Sequence, residues 1–119
     1  MELKTDETKT FKGITREELK KKLDANAKIH LWDTRTKQYF TNETIPGASW
    51  VPVDQIEGKL SSLGVGKTDE IVVYCSSLTC PASKTAANLL VKLGYQNVSA
   101  YEAGLADWKE AGLPTQRAA

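Results

Sequence analysis

The sequence predicts an α/β fold with a mostly parallel central sheet and helices on both faces. Strand-like and helix-like segments alternate along the chain, which is typical of a parallel sheet with two covered faces. One strand, Ile71-Val72-Val73-Tyr74, is continuously apolar, as a central parallel strand should be. The chain has 119 residues, enough for one hydrophobic core. Residues 1–12 are polar and lack periodicity, so we expect a polar N-terminal tail and a single domain over 13–119.

The first half of the chain contains one clear helix start and two short predicted strands. Thr15 and Glu18 match a capping box, which predicts that the first helix begins there. Short strands are predicted at 29–33 and 50–53. Asp54 is then expected to cap a short helix.

The second half continues the alternation. After the apolar strand at 71–74, apolar residues at helical spacing predict a helix over 83–93, and Gly94 is suited to the position after it. A further strand is predicted over 98–101 and a last helix over 105–111.

Composition and charge exclude several classes of function. A formal net charge of +1 without a basic stripe argues against nucleic-acid binding. No apolar run approaches the roughly 20 residues of a membrane span, and the first residues lack the apolar core of a signal peptide. We therefore expect a cytoplasmic protein that binds neither nucleic acid nor membranes. Both a monomer and a dimer are compatible with the sequence.

Cys75 directly follows the apolar strand and opens a loop that leads into a helix. Ligands bind parallel sheets at the carboxyl ends of the strands, where Cys75 would lie. Backbone N–H groups in such a loop, and the N-terminus of the helix, favour thiolate over thiol. We therefore predict a nucleophilic cysteine, although a buried core cysteine would give the same pattern. The predicted anion-binding loop consists of the next eight residues: Ser76, Ser77, Leu78, Thr79, Cys80, Pro81, Ala82 and Ser83.

Six short strings in order along the chain carry a family resemblance. They are Ile14-Thr15-Arg16-Glu17-Glu18-Leu19, Leu31-Trp32-Asp33-Thr34-Arg35, Ile45-Pro46-Gly47-Ala48, Ile71-Val72-Val73-Tyr74-Cys75, Leu93-Gly94-Tyr95-Gln96-Asn97-Val98 and Tyr101-Glu102-Ala103-Gly104-Leu105-Ala106-Asp107-Trp108. In this order they resemble the rhodanese-like, single-domain sulfurtransferase family. The resemblance implies the three-layer rhodanese-like fold and sulfurtransferase activity. It also implies that Cys75 accepts sulfane sulfur and passes it, as a persulfide, to a thiophilic acceptor.

The implied partners are small molecules. The donor would be thiosulfate, polysulfide or a low-molecular-weight persulfide, and the acceptor would be a thiol or cyanide; a protein donor or acceptor is a further option. No cofactor is implied, and two cysteines without further ligands do not make a metal site. Asp33 and Arg35, at the end of a predicted strand, are expected to form a buried or half-buried polar pair that supports the neighbouring loops.

The loop departs from the basic loops of many rhodaneses, because every residue from Ser76 to Ser83 is uncharged. Phosphatases of related fold bind a tetrahedral dianion with an arginine in this loop, so phosphatase activity is disfavoured. For the same reason the sequence favours a neutral, thiol-bearing or protein persulfide donor over thiosulfate.

Cys80 leaves two other functions open. As a resolving cysteine it would attack a persulfide on Cys75, expel hydrosulfide and leave a disulfide, which would make the chain a thiol-redox enzyme or sensor. Alternatively, the chain is a non-catalytic binding module that keeps the fold. Because a cytoplasmic protein is expected, we predict reduced cysteines instead of a stable disulfide.

Overall fold

The computed structural model of the chain describes residues 11–117 and confirms the predicted α/β fold. The strands are β1 Lys12–Gly13, β2 Ile29–Asp33, β3 Glu43–Thr44, β4 Ser49–Trp50, β5 Glu70–Tyr74, β6 Asn97–Tyr101 and β7 Gln116–Arg117. The helices are α1 Arg16–Asp24, α2 Ile56–Leu63, α3 Ala82–Lys92 and α4 Gly104–Glu110. The main sheet has the order β1-β6-β5-β2-β4, and all its neighbouring strands are parallel. β3 and β7 form a separate antiparallel pair.

The start of α1 forms as predicted. The backbone N–H of Glu18 donates to Thr15 Oγ1 at 3.1 Å, and the N–H of Thr15 donates to Glu18 Oε1 at 2.9 Å. This reciprocal capping box satisfies two backbone donors that a helix start otherwise leaves free. It also fixes the direction of α1, which places Leu19 in the core with no exposed surface.

Two apolar clusters cover the two faces of the sheet. Side chains alternate between the faces along a strand. Ile71 and Val73 of β5 therefore pack with residues of α2 and α3, whereas Val72 and Tyr74 pack with residues of α1 and α4. All four side chains are fully buried. β5 is thus the central strand that its continuous apolar sequence predicts.

The connection after β2 differs from the prediction. The strand predicted at 50–53 is wrong beyond Trp50, because Pro52 has no N–H for a sheet ladder and a 3₁₀ turn follows over Val53–Gln55. Asp54 lies inside that turn, and α2 begins without a side-chain cap.

The chain ends are only partly described. Residues 1–10 of the predicted tail lie outside the described residues, whereas Lys12 pairs with Ser99 at the edge of the main sheet. Across 11–117, no helix is both long and apolar enough to span a bilayer.

Candidate functional site

Cys75 lies at the carboxyl end of β5, the middle strand of the main sheet, and is fully buried. The neighbouring elements fix this strand end on both sides. The backbone N–H and the hydroxyl of Thr34 both donate to the carbonyl of Tyr74, each at 2.8 Å. The N–H of Leu105 donates to the carbonyl of Cys75 at 2.9 Å. The backbone that carries the sulfur is therefore held by the segments after β2 and β6.

The predicted anion-binding loop divides into a turn and the start of α3. Ser76 to Cys80 form the turn, in which the N–H of Cys80 donates to the carbonyl of Ser77 at 3.1 Å. Pro81 precedes the helix, while Ala82 and Ser83 lie in its first turn. α3 therefore begins one residue earlier than predicted. Its first N–H groups have no acceptor within the helix, which is the arrangement an anion-binding loop needs.

The side chains of this segment differ in exposure. Leu78 is 69% exposed, and Ser76, Ser77 and Cys80 are half-buried. Ser83 is buried, and its hydroxyl has no hydrogen-bond partner within residues 11–117. Leu78 therefore faces solvent, whereas the hydroxyl of Ser83, in the first turn of α3, is buried.

Cys75 and Cys80 are joined by a disulfide. Their Cα atoms lie 6.3 Å apart, inside the range of about 4.4–6.8 Å that disulfides use. This corrects the expectation of two reduced thiols. The physical reason is the turn closed by Cys80 and Ser77, which returns the chain toward the end of β5. Because Cys75 is buried and Cys80 is half-buried, an external thiol reaches the disulfide more readily from the Cys80 side.

A small, mainly apolar cavity of about 220 Å³ lies beside the disulfide. It is lined by Arg35, Thr36, Tyr39, Val53, Cys75, Cys80, Pro81, Ala82 and Thr85. A larger cavity of about 510 Å³ lies near Lys20 and Trp108 but includes neither cysteine. We therefore assign the candidate site to the smaller cavity, because it alone of these two is lined by Cys75 and Cys80.

Asp33 and Arg35 form a buried ion pair at the edge of this cavity. Arg35 Nη2 lies 2.6 Å from Asp33 Oδ2, and Arg35 Nε lies 3.0 Å from Asp33 Oδ1. The guanidinium also donates to Thr41 Oγ1 and to the carbonyl of Glu43. The side chains are only 3% and 0% exposed. The pair therefore ties the segment before β3 to the end of β2, and the charge of Arg35 is already neutralised.

The same carboxylate affects the last residue of β5. Burial, and secondly the negative charge of Asp33, raise the pKa of the Tyr74 phenol well above its ordinary value. The Tyr74 oxygen accepts a hydrogen bond from the N–H of Ile45 at 3.0 Å. Tyr74 thus acts as a neutral link between β5 and the segment after β3.

Gly104 is a site residue that sequence reasoning did not identify. It has a positive φ of 70°, and a Cβ added there would lie 2.6 Å from the carbonyl oxygen of Cys75 and 2.9 Å from the backbone nitrogen of Ser77. The N–H of Ala106 donates to the carbonyl of Ser76 at 2.8 Å. The start of α4 therefore packs directly against the backbone of the turn. In the sequence, Gly104 is recognisable only as a glycine just after a strand. The backbone that it contacts, from Cys75 to Ser77, lies almost 30 residues earlier in the chain.

The one histidine of the sequence lies away from this site. His30 is near the amino end of β2, with its Nε2 3.1 Å from Asp69 Oδ2, so it does not approach Cys75 at the opposite end of the sheet. In the part of the chain that the structure describes, no three His, Cys, Asp or Glu side chains are grouped as metal ligands.

Comparison with known proteins identifies the family. The model of the rhodanese-like domain matches residues 15–111, which is most of the chain. The chain belongs to the rhodanese-like domain family. It is 34% identical over 91 residues to a putative mitochondrial thiosulfate sulfurtransferase of Schizosaccharomyces pombe, and the aligned region covers 67% of this chain and 63% of that relative. It is also 31% identical over 107 residues to the HTH-type transcriptional regulator Rv0324 of Mycobacterium tuberculosis, which covers 90% of this chain and 46% of the relative.

Comparison with a solved structure supports the same family and fold. The human single-domain sulfurtransferase TSTD1 is 26% identical, with a TM-score of 0.72 over 82% of this chain and 95% of that one. The predicted family and fold are therefore confirmed, and the family includes sulfurtransferases. The chain spans about half the length of the first curated relatives it matches.

Proposed function

We propose that this chain is a sulfurtransferase or persulfide carrier in which Cys75 carries the sulfur. The observation that supports this most is the position of Cys75. It ends the central strand of a rhodanese-like sheet and opens a turn that leads into the N-terminus of α3. Partial positive charge at a helix N-terminus lowers the pKa of a nearby thiol and stabilises an anionic sulfur beyond it.

The proposed chemistry has two steps after reduction of the disulfide. The Cys75 thiolate attacks the sulfane sulfur of the donor, the donor's S–S bond breaks, and the remaining part leaves with the electron pair. This forms a Cys75 persulfide. A thiophilic acceptor then attacks the outer sulfur and releases the Cys75 thiolate. With cyanide as acceptor, the product is thiocyanate. No general base is needed if the resting cysteine is already ionised.

The cavity argues for a neutral or thiol-bearing persulfide donor. Its lining is mainly apolar, and its one cationic side chain, Arg35, is already paired with Asp33. A dianion such as thiosulfate therefore finds no free guanidinium there. The name of the S. pombe relative makes thiosulfate the alternative donor. Leu78 is exposed at the tip of the turn, where its apolar side chain would contact a protein donor or acceptor.

We also propose a cytoplasmic site of action. The proposed nucleophile must be a thiolate, and glutathione and thioredoxin systems keep cytoplasmic thiols reduced. The Cys75–Cys80 disulfide would then be an oxidised state that cellular thiols return to the active form.

The direct test is intact-mass spectrometry of the reduced protein after brief exposure to a sulfane-sulfur donor. We expect a gain of one sulfur atom, short-lived on the wild type and lasting on Cys80→Ser, that cyanide removes with formation of thiocyanate. Cys75→Ser should show no gain. Because this variant keeps Cys80, it controls for sulfur uptake by any exposed thiol. Absence of added sulfur with every donor, on both the wild type and Cys80→Ser, would contradict the proposal and favour a binding module.

Donor preference gives a second, independent prediction. We expect glutathione persulfide to load Cys75 at least about tenfold faster than thiosulfate, because a missing charge-assisted hydrogen bond costs about 1.5–3 kcal/mol. Rapid-quench mass spectrometry measures both rates. Ala82→Arg places a cation in the cavity lining and should raise the thiosulfate rate selectively. Equal rates for the two donors in the wild type would show that the turn itself binds the dianion adequately.

A further inference from the structure

The disulfide places a second sulfur in bonding distance of the proposed nucleophile. Cys80 reaches Cys75 within a turn that is closed by the hydrogen bond from the N–H of Cys80 to the carbonyl of Ser77. The two Cα atoms are 6.3 Å apart. A sulfur carrier needs only Cys75, so this second cysteine has no role in the transfer steps described above.

We propose that Cys80 resolves the Cys75 persulfide and that the chain thereby reduces sulfane sulfur to hydrogen sulfide. This inference rests on the proposed function, because it starts from the same persulfide. The Cys80 thiolate attacks Cys75 Sγ, the inner sulfur of the persulfide. The bond between the two persulfide sulfurs breaks, and the outer sulfur leaves as hydrosulfide with the electron pair. The proton lost by the Cys80 thiol ends on the hydrosulfide, and the product is the disulfide that the structure contains.

An external dithiol completes the cycle. One of its thiolates attacks the half-buried Cys80 sulfur, and buried Cys75 leaves as a thiolate. Attack on the more accessible sulfur makes Cys75 the leaving group. The second thiol of the reductant then displaces Cys80, so two electrons enter the protein and the reductant becomes a disulfide. The net reaction converts one sulfane sulfur and one dithiol into hydrogen sulfide and one disulfide.

The surroundings of the two cysteines favour resolution over long storage of the persulfide. Among the residues that line the cavity, Arg35 is the only basic one, and Asp33 neutralises it. The outer sulfur of the persulfide would therefore have the N-terminus of α3 near it but no unpaired cationic side chain of this lining. A disulfide across so short a loop constrains the unfolded chain less than one across a long loop.

The test is a single turnover without reductant. The wild type is reduced with dithiothreitol, freed of it under anaerobic conditions, and mixed with thiosulfate, which releases sulfite and therefore gives no sulfide background. Sulfide is trapped with monobromobimane while intact mass is followed in time. We expect one sulfide per chain and a final mass lower by two hydrogens. Cys80→Ser and Cys80→Ala should both retain the added sulfur, with sulfide release lower by about tenfold or more.

The other outcomes separate this inference from the proposed function. A wild-type persulfide that persists as long as in the Cys80 variants would overturn the resolving role and leave the sulfur carrier standing. Sulfide release that is equally fast in the Cys80 variants would do the same. Loss of two hydrogens without any sulfide would also overturn it, since the cysteines would then be oxidised by another route. If neither the wild type nor the variants gain sulfur from thiosulfate or from glutathione persulfide, both proposals fail.

Discussion

Asp33→Asn is expected to lower the free energy of unfolding by about 3–5 kcal/mol, the usual cost of removing one partner from a buried ion pair. The amide has the size of the carboxylate but carries no charge. One of its two polar groups is an NH₂ donor, which cannot accept a hydrogen bond from the Arg35 guanidinium. Arg35 is 3% exposed, so water cannot replace the lost charge. Urea denaturation in the presence of dithiothreitol measures the change without a contribution from the disulfide.

The chain provides a matched control for this substitution. Asp24 pairs with Lys20 at 2.8 Å, but both side chains are well exposed. Asp24→Asn should therefore change stability by less than about 1 kcal/mol. Adding Arg35→Met to Asp33→Asn should recover part of the loss, because it removes the unpaired buried charge. Similar losses for Asp33→Asn and Asp24→Asn would mean that the buried pair contributes no more than a surface pair.

Gly104→Ala is expected to impair both stability and the reactivity of Cys75. A left-handed backbone costs a residue with a Cβ about 1–2 kcal/mol. The new methyl group would also overlap the Cys75 carbonyl, 2.6 Å away, and overpacking of this kind adds about 1–3 kcal/mol. Relief of the overlap requires movement of the backbone from Cys75 to Ser77, so we expect slower sulfur loading as well as a lower denaturation midpoint.

Gly112→Ala separates the two contributions. Gly112 has a similar φ of 76°, but an added Cβ there meets no atom within 4 Å. It should show only the backbone cost and load sulfur at the wild-type rate. If Gly104→Ala and Gly112→Ala are equally destabilised and load sulfur equally fast, the contact between α4 and the turn does not position Cys75.

Local signals in the sequence were sufficient to predict β2, β5 and the start of α1. The strand predicted at 29–33 is β2, residue for residue, and the apolar run ending at Tyr74 is the central β5. The capping box at Thr15 predicted the start of α1 because its donors and acceptors lie three residues apart. The same reasoning placed Cys75 at the carboxyl edge, since position in a parallel sheet follows from strand order and direction.

Features that depend on contacts between distant residues were not predictable in this way. β3 and β7 have two residues each and no periodicity, and their pairing joins Glu43 to Arg117 across most of the chain. The contact of Gly104 with the turn is likewise non-local. The disulfide depends on the path of the turn from Ser76 to Cys80, and a spacing of five residues permits contact without requiring it.

The disulfide also determines how the purified protein will behave in the laboratory. The chain has two cysteines, and both belong to this one bond, so the oxidised form contains no thiol. Iodoacetamide, maleimides and Ellman's reagent have no group to react with in that form. Protein prepared in air will therefore show neither thiol labelling nor sulfur transfer to cyanide. A short treatment with reductant will restore both together.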